Sequence, residues 1–420
     1  MQHSVQQRNL ICARLAIVPG VLLLLAMIIP AHAQTYSVIH TFSADEGYPQ
    51  AGITVDAAGN LYGTTYGRFC PPACGTVFKM EHKNNSWIFS QLYAFQGGSD
   101  SAFPQAEVVI GPDGALYGTT TGGGQGRCQQ GCGTVFRLTP PPNFCHAVSC
   151  PWTKTILYTF TNTPDGNEPV GGTLAFDQQG NIYGTTEYGG YYGLGAVFEL
   201  TPANGGWTES VIYNFTGLGD GRLPVGGVSI DSAGNLYGTT TLGGDVVLSQ
   251  LFYGYGVTFK VSPSGSGWSE SVLHEFFDEA DGALPEAALT LDSAGNTYGT
   301  AAAGGSNSCV YGVYNGCGVV YRNGHIIYDV PGNDNQHPVG PMGPVTLDPA
   351  GNIYATSFEH GQYDGGVVFR LSAGQYTYTS LHDFDPNSGY AYPLGKISFD
   401  SAGNLYGVAT SAGAVWEITP

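Results

Sequence analysis

Between residues 50 and 420 the chain repeats one hydrophobic–polar pattern seven times. Apolar side chains stand one and three positions before a turn aspartate, as Ile53 and Val55 before Asp56, or Val228 and Ile230 before Asp231. A small polar residue such as Thr54 or Ser229 lies between them. Period-two alternation predicts a β-strand, labelled a. A turn of the form Asp-x-x-Gly-Asn follows, and then strand b, an aliphatic-Tyr-Gly-Thr segment such as Leu61-Tyr62-Gly63-Thr64. Strand c is a Gly-x-Val-aromatic segment ending at Phe78, Phe136, Phe198, Phe259, Tyr321, Phe369 or Trp416. An aromatic at one place in every copy predicts a packing residue between repeats. Strand d reads Trp-x-x-x-x-aliphatic-Tyr/His-x-Phe, fullest at 207–215 and 268–276.

The repeat averages about 55 residues, the length of a propeller blade or a solenoid turn. The two ends separate these readings. A lone d-type strand stands at residues 36–42, and the seventh unit stops after its strand c at Pro420. The N-terminal strand can therefore complete the last blade and hide two sheet edges, which a linear solenoid would not require. The predicted fold is all-β: a seven-bladed β-propeller of four-stranded blades, forming one domain over 34–420.

Residues 1–33 read as a secretory signal peptide. Arg8 and Arg14 form a positive start, 15–29 is apolar, and Ala31-His32-Ala33 is a small-x-small cleavage site. The apolar run is broken by Pro19-Gly20 and is short for a membrane span, so no anchor is expected after cleavage. The formal net charge is −19. A surface of that sign repels phosphate backbones, which excludes nucleic acid as a partner. Charged residues are only 11% of the chain while 64 are glycine. The glycines recur beside aromatics, as turns of an ordered β-protein do. After the leader the cysteines form four close pairs: Cys70/Cys74, Cys128/Cys132, Cys145/Cys150 and Cys309/Cys317. In an exported chain an even count reads as disulfides. Spacing alone leaves the connectivity open, with local pairing the simplest, and no histidine follows at a zinc-site spacing.

The phrase Asp-x-x-Gly-Asn-Leu-Tyr-Gly-Thr-Thr, followed by Gly-Gly and Gly-Thr-Val-Phe, resembles the GloVer-type tandem repeat of exported bacterial proteins, over nearly all of 36–420. The resemblance implies a β-propeller and a secreted, periplasmic or cell-surface location. It implies no catalytic residues.

Strand order places the d–a and b–c loops on one face. The d–a loops carry acids before a recurring proline: Asp45 with Glu46, Asp100, Asp165, Asp220, Asp281 and Asp334. With b–c loops rich in tyrosine and glycine, they would suit a cation, a carbohydrate or a protein partner; acids and glycines also make ordinary soluble turns. Residues that break the repeat are the candidates for chemistry. Four positions before the turn aspartate most blades have a small or uncharged residue, but blade 2 has Glu107 and blade 7 has Lys396. His337 precedes a d–a proline and His360 stands in a b–c loop, whereas His40, His274 and His382 share one strand-d position with Tyr93, Tyr158 and Tyr213 and read as packing variants. No cofactor is expected. Calcium would suit the Asp and Asn of the a–b turn, but that turn lacks the closely spaced oxygens of a calcium loop. No nucleophile, zinc-protease or phosphate-loop motif is present. Two readings follow: an exported, monomeric, noncatalytic propeller that binds a glycan or a cell-envelope protein, or a propeller enzyme (a metal-assisted lactonase, or a polysaccharide lyase or hydrolase) with carboxylates at the central opening.

Overall fold

The computed structural model describes residues 34–67, 70, 74–142, 151–244, 254–277, 280–311, 314–331 and 340–420. Residues 1–33, which read as a signal peptide in sequence, and Cys145, Cys150, Asp334 and His337 lie outside the described residues. Among the described residues seven antiparallel blade sheets follow one another, each with strands a to d in order, and a two-stranded ribbon, Val310–Tyr311 with Tyr314–Asn315, stands apart from them. Blade 3 is representative, with Ala175–Phe176, Ile182–Thr186, Ala196–Ala203 and Gly206–Asn214. The seventh blade takes its strand d from the N-terminus. Thr35–Thr41 pairs antiparallel with Ala414–Thr419, from Thr35 opposite Thr419 to Thr41 opposite Ala414. The predicted architecture and its closure are both present. No helix among the described residues is long and apolar enough to cross a membrane.

The repeat phrase has a packing logic. The strand-c aromatic lies flat over strand b, and the Gly of Tyr-Gly-Thr makes room for it. A Cβ on Gly184 would come within 2.6 Å of Phe198 Cζ, and one on Gly238 within 2.5 Å of Phe259 Cζ. All seven of these aromatics are buried. At six seams the phenylalanine ending strand d meets the strand-c aromatic of the next blade edge-on. Phe95 meets Phe136 at 5.3 Å, Phe160 meets Phe198 at 5.2 Å and Phe215 meets Phe259 at 5.0 Å between ring centroids. Such contacts add to the burial of two large rings.

Polar residues inside the strands tie blades together. The strand-a hydroxyls of Ser229, Thr290 and Thr346 donate to carbonyls of Leu289, Val345 and Ile397 in the next blade. One strand further out, Thr239 and Thr300 donate at 2.9 Å to Ala287 and Gly343. This is why the small polar residue recurs between the apolar ones.

The a–b turn is structural. Asp231 Oδ1 accepts the backbone N–H groups of Ala233 and Asn235, and its Oδ2 accepts from Asn235 Nδ2 and Tyr237 Oη. Gly234, at φ 83°, takes the left-handed step of the turn. Blade 2 lacks the leading Asp but not the lock. Asp113, two residues later, accepts from the Ala115 N–H and Tyr117 Oη and pairs with Arg137.

Candidate functional site

Strands a line the central opening, so the residue four before each turn aspartate reaches its mouth. Of the two charged residues found there in sequence, Glu107 is 9% exposed and its carboxylate lies 3.7 Å from Lys396 Nζ. They belong to blades 2 and 7 and meet across blade 1. The equivalent residue of blade 1 is Gly52, where a Cβ would come within 2.7 Å of Glu107 Oε2 and 2.9 Å of Lys396 Cβ. Glycine at that one place permits the pair.

The pair lies in the wall of a cavity of about 290 Å³ with Gln50, Gln105 and Glu286. These three follow the recurring d–a prolines, where other blades carry Val170, Val225, Met342 and Leu394. Sequence reasoning missed Glu286; aligning the residues after Pro49, Pro104, Pro169, Pro224, Pro285, Pro341 and Pro393 would have exposed it. Burial, reinforced by the negative charge of Glu187, pushes the Glu286 carboxyl up to about 7. Near neutral pH it can then both donate and accept a hydrogen bond.

The d–a acids stand elsewhere. Asp100, Asp165 and Asp220 each accept from the tyrosine of their own strand d, Tyr93, Tyr158 and Tyr213, at 2.6–2.9 Å. Each also accepts the backbone N–H that begins its loop, from Gln96, Thr161 and Thr216. Asp281 pairs with His274 at 2.9 Å. In the first of these loops Glu46 makes the turn contact, accepting from Ser43, while Asp45 is exposed. None of these described acids lines the cavity at the central mouth. Of the strand-d histidines, His40 stacks on Phe89 at 4.1 Å and His382 on Tyr36 at 3.6 Å, while His274 makes the polar contact that the tyrosines make elsewhere.

Side chains of the following blade press on these locks. Lys154 reaches Asp100 Oδ1 at 2.7 Å and lies over the Tyr93 ring. Two residues after the strand-d tryptophan, as Lys154 is, blades 3 and 4 have Glu209 and Glu270. Burial first, and then the charges of Asp165 and Asp220, push these two carboxyls up to about 7.

The reading of His337 needs a correction. The proline in the recurring place is Pro341, not Pro338: a Cβ on Gly318 would meet Pro341 Cδ, as one on Gly75 would meet Pro104 Cδ. Gly340 is therefore the residue before it. His360 is 4% exposed, and its imidazole lies within 4.8 Å of the sulfurs of Cys309 and Cys317. Those sulfurs form a disulfide, as do Cys70–Cys74 and Cys128–Cys132, so they are not thiolate ligands in this state.

Solved structures share the architecture. The extracellular domain of a putative hybrid two-component system from B. thetaiotaomicron is 13% identical, with a TM-score of 0.48 over 92% of this chain, which spans 41% of that one. The WD40 propeller domain of Doa1 is 11% identical over 91% of this chain and 97% of its own, with a TM-score of 0.52. PorZ, a surface component of the type-IX secretion system of Porphyromonas gingivalis, is 14% identical over 91% of this chain and 48% of its own, with a TM-score of 0.50. At these identities the likeness to the Doa1 domain and to PorZ is one of fold. No curated protein matches the sequence. The repeat itself is recognised in two overlapping stretches, residues 27–246 and 146–314. Together with the seven blades these place the chain in the Gloeobacter/Verrucomicrobia repeat family.

Proposed function

We propose that this protein is an exported binding propeller that holds a carbohydrate at the mouth of its central opening. The observation that carries this reading is the gathering of Glu107, Lys396 and Glu286 with Gln50 and Gln105 around one cavity of about 290 Å³. Most of the other lining residues are glycine, alanine or aliphatic. Carboxylate, ammonium and amide groups above an apolar floor match the alternating hydroxyls and C–H faces of a sugar. Three disulfides in short loops among the described residues support an oxidising compartment, the periplasm or the cell surface.

A second reading has one observation in its favour. A carboxyl raised to about 7 at Glu286 is suited to general acid work, with Glu107 as a second carboxyl in the same cavity. The two readings part in one experiment. The purified protein is titrated by calorimetry with a panel of neutral and acidic oligosaccharides, and each mixture is then examined for cleavage. The binding reading expects saturable heat with one sugar class, an intact sugar, and at least tenfold weaker binding for Glu107→Gln and Glu286→Gln. Cleavage lost in both variants would establish the enzyme instead. No saturable binding by any sugar would overturn both.

A further inference from the structure

The seam between blades 5 and 6 departs from the other six. At those six, a phenylalanine ends strand d and packs edge-on against the strand-c aromatic of the next blade. Its place is fixed by a backbone bond, as Phe215 N–H donates to Gly195 O at 3.1 Å and Phe276 N–H to Gly256 O at 3.1 Å. Val330 N–H makes the same bond to Gly318 O at 3.1 Å. Val330 therefore occupies the phenylalanine position without the ring, although its partner across the seam, Phe369, is present and buried. A cavity of about 330 Å³ lies there, with Val330 and Phe369 both in its wall.

A second departure faces the same cavity. Blades 2 to 5 begin the Gly-Gly of their b–c loop with Gly123, Gly189, Gly243 and Gly304, all left-handed. Blade 6 has His360 in that place, at φ 75° and buried in the cavity wall. A left-handed backbone is unfavourable for a side chain with a Cβ, and such outliers gather where a side chain has a task. Ser380 and Asp383 add polar groups to the wall. Tyr328 and Tyr378, also in the wall, stack with their centroids 5.4 Å apart.

We propose that this seam is a binding site for a small phenol. Its ring takes the place that a phenylalanine fills at the other six seams, and its hydroxyl meets the His360 imidazole, beside the bonded pair Ser380 and Asp383. Apolar cavities in proteins accept aromatic rings, and a few convergent polar groups decide the orientation. The site is separate from the central mouth, and shares no lining residue with it.

The test uses the whole protein with phenol, benzene and cyclohexanol as probes, followed by calorimetry and ligand-observed NMR. Saturable phenol binding is expected, tighter than benzene or cyclohexanol. Val330→Phe fills the seam from within, so it should weaken phenol binding at least tenfold and raise Tm. Val330→Leu fills it partly and carries the same comparison if the larger side chain fails to fold. His360→Gly should weaken phenol but not benzene. Absence of saturable phenol binding, or filled variants that bind phenol like the parent, would overturn the site. Equal losses of phenol and benzene in His360→Gly would overturn the assignment of the hydroxyl to His360.

Discussion

Glycine and a ring on adjacent strands explain more of this molecule than any charged residue does. Each Tyr-Gly-Thr segment surrenders a side chain so that the aromatic of strand c can lie against the backbone. In blade 6, Ala355 replaces the glycine opposite Phe369, so the rule tolerates one methyl group. Phe198 shows what the ring contributes. It is fully buried, packs on Phe160, and sits where Gly184 leaves space. Phe198→Ala should cost about 3–5 kcal/mol, because lost transfer energy and an unfilled cavity add together. Chemical denaturation with an unchanged midpoint and slope would refute that role.

Among the elements, the N-terminal strand has the largest consequence for its length. Thr35–Thr41 is seven residues long and, among the described residues, is the only strand whose blade partners lie at the other end of the sequence. Deleting it would leave the edge of Ala414–Thr419 open and uncover Trp416, which is fully buried. An open edge is a template for pairing with another chain. A variant lacking residues 35–41 should therefore melt lower and form concentration-dependent oligomers in light scattering. A deletion that stays monomeric with an unchanged Tm would mean that the ring is held closed elsewhere. The disulfides act on a smaller scale, since Cys70–Cys74 and Cys128–Cys132 each span a sequence separation of 4 and chiefly rigidify their own loops.

The whole molecule carries two opposing sets of carboxyls. In the a–b turns, burial pushes Asp56, Asp231, Asp292 and Asp348 upward, but hydrogen bonds from Asn side chains, backbone N–H groups and tyrosines outweigh it and hold them below the usual range. A depressed native pKa stabilises above the unfolded value of about 3.9, and that stability is lost as pH falls through the native one. Glu209, Glu270 and Glu286 are raised to about 7, so the native state holds their protons more tightly than the unfolded chain does. Their effect on stability has the opposite sign: it declines as pH rises from about 4.3 to 7. The combined contribution of these carboxyls should therefore peak between about pH 4 and 5, while His40 and His382, held low by burial, act in the opposite direction below their ordinary value of about 6.5. Urea unfolding across pH 2.5–8.5 measures this directly. Glu209→Gln with Glu270→Gln should remove part of the decline toward neutral pH and spare the acid limb; a difference between parent and double variant that does not change from pH 5 to 7.5 would contradict the assignment.

The sequence by itself determined the blade count, the strand order, the closure and the turn chemistry. Blade count, strand order and turns depend on local contacts that recur seven times, so period-two alternation and the fixed spacing of Asp, Gly and aromatic residues record them; the closure was legible from the spare strand d at 36–42 and the missing one after 420. It also marked Glu107 and Lys396, because a charge at an otherwise small position breaks the pattern. Only the tertiary structure decided that these two meet across Gly52, since the contact joins blades 7 and 2 over the ring closure. The same limit hid the cavities. Val330 reads as a mild variant of phenylalanine until the facing strand shows a cavity between it and Phe369. That Asp100, Asp165 and Asp220 each accept from the tyrosine of their own strand d and from the backbone N–H that begins their loop was likewise visible only in the folded chain. Contacts within a repeat are written in its spacing; contacts between repeats depend on which faces the closed ring brings together.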